Sequence, residues 1–212
     1  MRNLQQILEP SKTAVIVVDV QNDFCEPNGA VGKRGFSVEA CAEMIPHLER
    51  LLDGAHAYGA SVIFIQTIHT RWTDSDTWLY RSDERERLDT CREGSWGAEF
   101  FRVAPVANDP IVVKHRYSAF LNTRLESILN TLRIETLVIT GVATNVCVES
   151  TARDGFQRDY NIVFVDDCSA TYDRALHDAT LKNMRNHFGT VAKADDVLKV
   201  WKEAYSVAPI RV

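Results

Sequence analysis

Residues Thr136–Phe156, TLVITGVATNVCVESTARDGF, decide the fold. Leu137-Val138-Ile139 is a short, nearly continuous apolar run, the pattern of a strand buried on both faces of a parallel sheet. Gly141 breaks the run, and from Thr144 the pattern takes helix period. Val148, Thr151, Ala152 and Gly155 share one stripe, while Glu149, Arg153 and Asp154 lie off it. Cys147 sits between strand and helix, where unpaired backbone N–H groups and the positive end of the helix dipole gather. Those surroundings favour a thiolate and can hold an oxyanion. A buried structural cysteine would read the same way, because a free thiol packs as a small hydrophobe.

Outward from this stretch, the rest of the chain repeats its grammar. Thr13 to Asp19, TAVIVVD, is a buried strand that ends on a carboxylate, with Gln21-Asn22-Asp23-Phe24 behind it. An amphipathic helix is expected over Val38 to Tyr58, with Ile45, Leu48, Leu51, Leu52 and Ala55 inward and Gly59 as its stop. Ala60 to Gln66 is the next strand. Residues 67–106 follow as a polar, aromatic-rich stretch without period, and loops of that length serve as lids or binding loops. Trp72, Trp78, Tyr80 and Trp96 within it suit a pocket wall or a subunit interface equally. Ile111 to Lys114 is a short strand ending in lysine, and an extended backbone points Arg116 to the same side as Lys114. A helix over Phe120 to Leu132, with Leu121, Leu125, Ile128, Leu129 and Leu132 inward, precedes the deciding strand. Tyr160 to Val165 is a further strand with Asp166-Asp167-Cys168 as its polar end. A helix over Asp173 to Phe188, a short strand Thr190-Val191-Ala192 and a helix over Asp195 to Tyr205 complete the chain.

Strands alternating with helices imply one three-layer, Rossmann-like α/β domain over residues 1–212, with a parallel six-stranded sheet, helices on both faces and 67–106 as a lid-like insertion. Neither the GxGxxG dinucleotide fingerprint nor the GxxxxGK[ST] phosphate loop is present. A formal net charge of −5 and the lack of a basic tract give no support to nucleic-acid binding. No apolar run has the length of a membrane span and the N-terminus lacks a signal-peptide core, so a soluble cytoplasmic protein is expected. The five cysteines (Cys25, Cys41, Cys91, Cys147, Cys168) are scattered, without CxxC spacing, which fits a reducing compartment. His69 has no nearby partner ligand before Asp74, so no metal is expected there.

Three strand ends therefore carry Asp19, Lys114 and the approach to Cys147. In a parallel sheet they share one edge, where ligands bind, and a carboxylate, an ammonium and a thiol can meet. A base that takes the thiol proton and a cation that favours both anions make a workable nucleophile.

VVDVQNDF from Val17, EGSWGAEF from Glu93, VVKHRYSAF from Val112 and GVATNVCVESTARDGF from Gly141 together resemble the isochorismatase-like cysteine hydrolases, over nearly the whole chain. RYSAF, ATNVCVEST and RDGF are most similar to the ureidoacrylate amidohydrolase branch. The resemblance implies a catalytic triad of Asp19, Lys114 and Cys147. It also implies an oxyanion hole from the backbone N–H groups of Ala143 and Cys147, and a cis peptide bond at Val142–Ala143. It implies C–N cleavage of a small ureido, carbamoyl or amide compound through a thioester, without a cofactor, by a homo-oligomer (a dimer or tetramer). Candidate substrate contacts are Gln21, Phe24, Trp72, Arg116 and Tyr117; Arg116 either clamps a substrate carboxylate, pairs with an acidic neighbour or sits at a subunit interface. QTIHTRWTD lacks the Asp-x-His metal motif of nicotinamidases, and isochorismatases proper lack the cysteine. Two other readings stay open: a catalytically silent binding protein on the same fold, and a redox thiol with Cys168 as resolving partner.

Overall fold

The computed structural model describes residues 3–81 and 89–207. Residues 82–88 of the 67–106 insertion, and both ends of the 1–212 span, lie outside the described residues. Six strands form one sheet in the order β3-β2-β1-β4-β5-β6: β1 Thr13–Val18, β2 Ser61–Thr67, β3 Ile111–Lys114, β4 Thr136–Val142, β5 Asn161–Ala170 and β6 Thr190–Ala192. All neighbours run parallel.

Alternate residues of each strand face opposite layers. Val15 and Val17 pack with Leu48, Leu51 and Trp201, under the helices Glu39–Tyr58 and Ala194–Val207. Ala14, Ile16 and Val18 pack with Leu125, Leu129, Val148 and Ala152, under Leu125–Thr131 and Glu149–Phe156. Strands enclosed by two apolar layers need apolar residues on both faces, which is why β1 and β4 are buried at every position. The expected inward stripe of the Glu39–Tyr58 helix is buried throughout, and Gly59 ends the helix at φ 82°. No helix among the described residues is long and apolar enough to cross a membrane.

Two elements differ from expectation. The helix after β3 covers only Leu125–Thr131, and Leu121 and Leu132 are exposed. Asn122 is left-handed at φ 56°, and the Thr123 hydroxyl bonds both Ala119 O and Leu125 N, which delays the helix start. β5 runs on to Ala170, because its pairing with β4 jumps from Ile139–Phe164 to Gly141–Ser169. Asp166, Asp167 and Cys168 are thus the bulged centre of a long strand; bulges of this kind re-aim side chains.

The strand order reverses between β1 and β4: the chain builds outward from β1 to β3 on one side, then returns to the other. In open α/β sheets that reversal opens a crevice at the carboxyl ends of the strands. Gly141 lets β4 approach β1 there. Its φ is 112°, and a Cβ would lie 2.0 Å from Val18 O.

Candidate active site

Asp19 follows β1 directly in a left-handed conformation, φ 52°, which turns its side chain out of the strand register. Aspartate tolerates that region better than most residues. Cys147 follows β4 in a π-helical turn, Thr144–Val148, that leads into Glu149–Phe156. The Val142–Ala143 peptide before it is cis. Lys114 closes β3, two strands from β1, and is paired in register with Thr67 at the end of β2. Its long side chain spans that gap over Thr67.

The three groups meet. Lys114 Nζ donates to Thr67 Oγ1 at 2.7 Å, to Arg116 O at 2.9 Å and to Cys147 Sγ at 3.5 Å. Those bonds use all three ammonium hydrogens. At 2.7 Å the ammonium also pairs with Asp19 Oδ2, the carboxylate oxygen that no other group engages. Asp19 Oδ1 instead accepts from the Thr67 hydroxyl at 2.9 Å. One carboxylate oxygen is thus engaged, and the other faces the ammonium that also meets the thiol.

Burial sets the charges. Cys147 is pushed up to about 12, first by burial, against the lowering effect of the Lys114 ammonium, and then by the Asp19 carboxylate. A thiolate at rest, as its position at the helix start suggested, is thus corrected: the group is a neutral thiol beside an ion pair. For Lys114, burial favours the neutral amine, but Asp19 and Cys147 outweigh it and hold the pKa above the ordinary lysine range.

Thr67, Lys114 and Cys147 of the cluster line a cavity of about 160 Å³, with Asp19 beneath them, close to the roughly 150 Å³ that admits one benzene-sized molecule. Ala143 and Cys147 line it, as do Phe24, Arg116 and Tyr117. Trp72 does not: it is 81% exposed, under the Arg71 guanidinium, and the aromatic that turns inward is Trp78. Trp78 is held by His69 at 5.2 Å, Tyr117 at 5.0 Å and the Arg81 guanidinium at 3.8 Å. Gln21 is fully buried and spends its amide on the scaffold. Its Nε2 donates to Thr67 O and Ala98 O, and its Oε1 accepts from Thr67 N. It clamps the Thr67 peptide and so acts on the site through Thr67. Arg116 reaches the cavity wall, but it donates to Thr73 O, His115 O and Ser75 Oγ. Those three bonds fasten the loop after β2 and use three of the five guanidinium N–H groups.

Thr67, Arg81 and His69 line the cavity and were not among the expected contacts, while Trp78 is the one of the four loop aromatics that lines it. A strand-end threonine facing two charges was the available signal for Thr67. His69 is buried and its Nδ1 pairs with Asp74 Oδ1 at 3.1 Å, while Asp74 also binds Arg92. Burial lowers His69 to about 4, with Asp74 opposing that fall. A carboxylate accepts only, so the ring is neutral with Nδ1–H, and Nε2 carries a lone pair at the cavity wall. Among the described residues, no group of three or more His, Cys, Asp or Glu side chains is arranged to hold a metal ion.

The isochorismatase domain model matches residues 13–196. The ureidoacrylate amidohydrolase of Methylobacterium radiotolerans is 36% identical over 200 residues, covering 87% of this chain and 78% of that protein. The enzyme of the same name from Agrobacterium fabrum is 35% identical over 217 residues, covering 94% of each. Among solved structures, a cysteine hydrolase from Pseudomonas syringae pv. phaseolicola superposes with a TM-score of 0.85 at 30% identity, covering 93% of this chain and 95% of that one. With that span and a thiol, carboxylate and ammonium at its centre, the chain belongs to the isochorismatase family and is one of its cysteine hydrolases.

Proposed function

We propose that this hydrolase cleaves the C–N bond of a small ureido acid through a thioester on Cys147. The observation that carries the reading is the Cys147 thiol beside Lys114 and the open oxygen of Asp19. The thiol proton passes to Asp19 Oδ2 as sulfur bonds to the substrate carbonyl carbon. The carbonyl oxygen becomes an anion received by the N–H groups of Ala143 and Cys147. Collapse breaks the C–N bond, and Asp19 returns its proton to the leaving nitrogen. A water molecule then gives a proton to Asp19 and its oxygen to the thioester carbon. Sulfur leaves and recovers the proton. If the terminal nitrogen departs, it leaves as ammonia and water releases an N-substituted carbamate; if the substituted nitrogen departs, it leaves as the amino acid and water releases carbamate itself.

The cavity wall supports an anionic, N–H-rich substrate. Arg34, Arg81, Lys114 and Arg116 line it, with no acidic residue among its described lining. Arg81, fixed by the Tyr117 hydroxyl and the Trp78 carbonyl, keeps more of its N–H groups free of these bonds than Arg116 does and is the cation assigned to a substrate carboxylate. The lone pair of neutral His69 suits a ureide N–H. The test is ammonia release from ureido acids and their neutral amides, with acid-quenched enzyme weighed by mass spectrometry. Turnover should leave an acyl adduct on Cys147, and Cys147→Ala should be inert. Turnover by Cys147→Ala, or no adduct in single-turnover quenches, overturns the mechanism.

A further inference from the structure

Behind the turn that carries Cys147 lies a chain of three side chains, two buried and the third partly exposed, that the mechanism above leaves unused. Thr144 Oγ1 is 3.0 Å from His177 Nδ1, and His177 Nε2 is 2.9 Å from Asp166 Oδ1. Thr144 is fully buried and His177 is 6% exposed. Asp166 sits in the β5 bulge, and His177 belongs to the helix Arg174–Asn183. We propose that His177 is a positioning residue that locks the Ala143–Cys147 turn, and with it the two oxyanion-binding N–H groups, by accepting the hydroxyl proton of Thr144.

The chemistry fixes the direction of the chain. A carboxylate can only accept, so Asp166 selects the tautomer with hydrogen on Nε2 and leaves the Nδ1 lone pair facing Thr144. The Thr144 hydroxyl donates to that lone pair, and a β-branched side chain held at its oxygen has its χ1 fixed as well. Thr144 directly follows Ala143 and lies three residues before Cys147, so pinning it pins the span between the two donors. A second tie from the same strand end acts alongside, with Thr171 Oγ1 donating to Asn145 Oδ1 at 2.7 Å. Oxyanion donors stabilise charge only when already in place, so a fastening at this turn belongs to the rate and not to substrate affinity. His177 and Asp166 also line a separate cavity of about 510 Å³ that opens to solvent, so the ring position can be reached by a small molecule from outside the catalytic cavity.

The inference rests on the oxyanion assignment made above, and the test separates the two. Thr144→Val keeps the shape and removes the hydroxyl; His177→Ala removes the acceptor; Thr144→Ser restores the hydroxyl. Each of the first two should lower kcat about ten- to a hundredfold with KM within about threefold, less than the loss of an oxyanion donor itself. Their combination should cost no more than either alone, because both break one bond. Thr144→Ser should stay near the wild type. Added imidazole should restore His177→Ala, whereas pyrrole, of the same shape but without an acceptor nitrogen, should not. Unchanged kcat in His177→Ala and Thr144→Val, multiplying losses, or equal rescue by pyrrole overturns the proposal. If those results appear while Cys147→Ala is inert, only this inference fails; if Cys147→Ala turns over, the catalytic assignment fails with it.

Discussion

Lys114→Met tests the electrostatics of the site most directly. The ammonium is 3.5 Å from Cys147 Sγ. At an effective dielectric constant of about 20, a thiolate and an ammonium at that separation attract by about 5 kcal/mol, worth roughly three pKa units. Without that attraction the thiolate formed during attack loses its counter-ion, and kcat/KM should fall by about a thousandfold or more. The same change leaves Asp19 fully buried opposite an apolar side chain, and breaking a buried pair from one side costs about 3–5 kcal/mol of stability. The thermal midpoint should therefore drop in Lys114→Met and recover in part in Asp19→Asn/Lys114→Met, where no lone charge remains. Activity should not recover, since the base is gone as well. Ammonia release and a melting curve on the two variants and the wild type are sufficient. A Lys114→Met enzyme within tenfold of the wild type would show that the ammonium is not the thiolate's counter-ion.

Alkylation of Cys147 by iodoacetamide should be slow at neutral pH and keep rising towards pH 12, because burial holds the pKa at about 12 against an ordinary 9.0. Near pH 8 that difference leaves roughly a thousandfold less thiolate; a plateau below pH 8 would refute it. Arg116→Lys should raise KM for carboxylated and neutral substrates alike by loosening the loop held at Thr73 and Ser75; a loss confined to carboxylated substrates would restore the clamp. Activity should survive EDTA, since His69 Nδ1 is taken by Asp74 and Asp74 by a guanidinium that competes with cations. Loss on chelation that zinc reverses would refute that.

The sheet was legible because strands buried on two faces have few alternatives to Val, Ile and Leu, and strand ends mark themselves where such runs stop. That reading brought Asp19, Lys114 and Cys147 to one edge, where the structure places them in contact. It failed where tertiary contacts rather than period decide. Nothing local separates Trp72 from Trp78, since their difference is which one meets His69 and Tyr117. Arg116 had the expected direction, and its bonds to the carbonyls of Thr73 and His115 were not legible, because a loop without period positions them. The polar Asp166-Asp167-Cys168 looked like a strand end because a bulge places polar side chains inside a strand. The thiol was misjudged because helix position is visible in a sequence and depth of burial is not.

The arrangement at Thr67 has a consequence for how the site responds to its solution. Its one hydroxyl hydrogen is spent on Asp19 Oδ1, so the arriving proton is directed to Oδ2, the oxygen facing Lys114. Before that transfer the cluster holds a neutral thiol, a carboxylate and an ammonium; afterwards it holds a thiolate, a carboxylic acid and the same ammonium. The sum is zero in both states, and the negative charge merely crosses from one side of Lys114 to the other. The surrounding protein never has to solvate a net charge, and all three groups are buried, where salt screens little. Turnover at saturating substrate should thus be nearly indifferent to ionic strength, while capture of an anionic substrate by exposed Arg81 weakens as salt shortens the reach of its field.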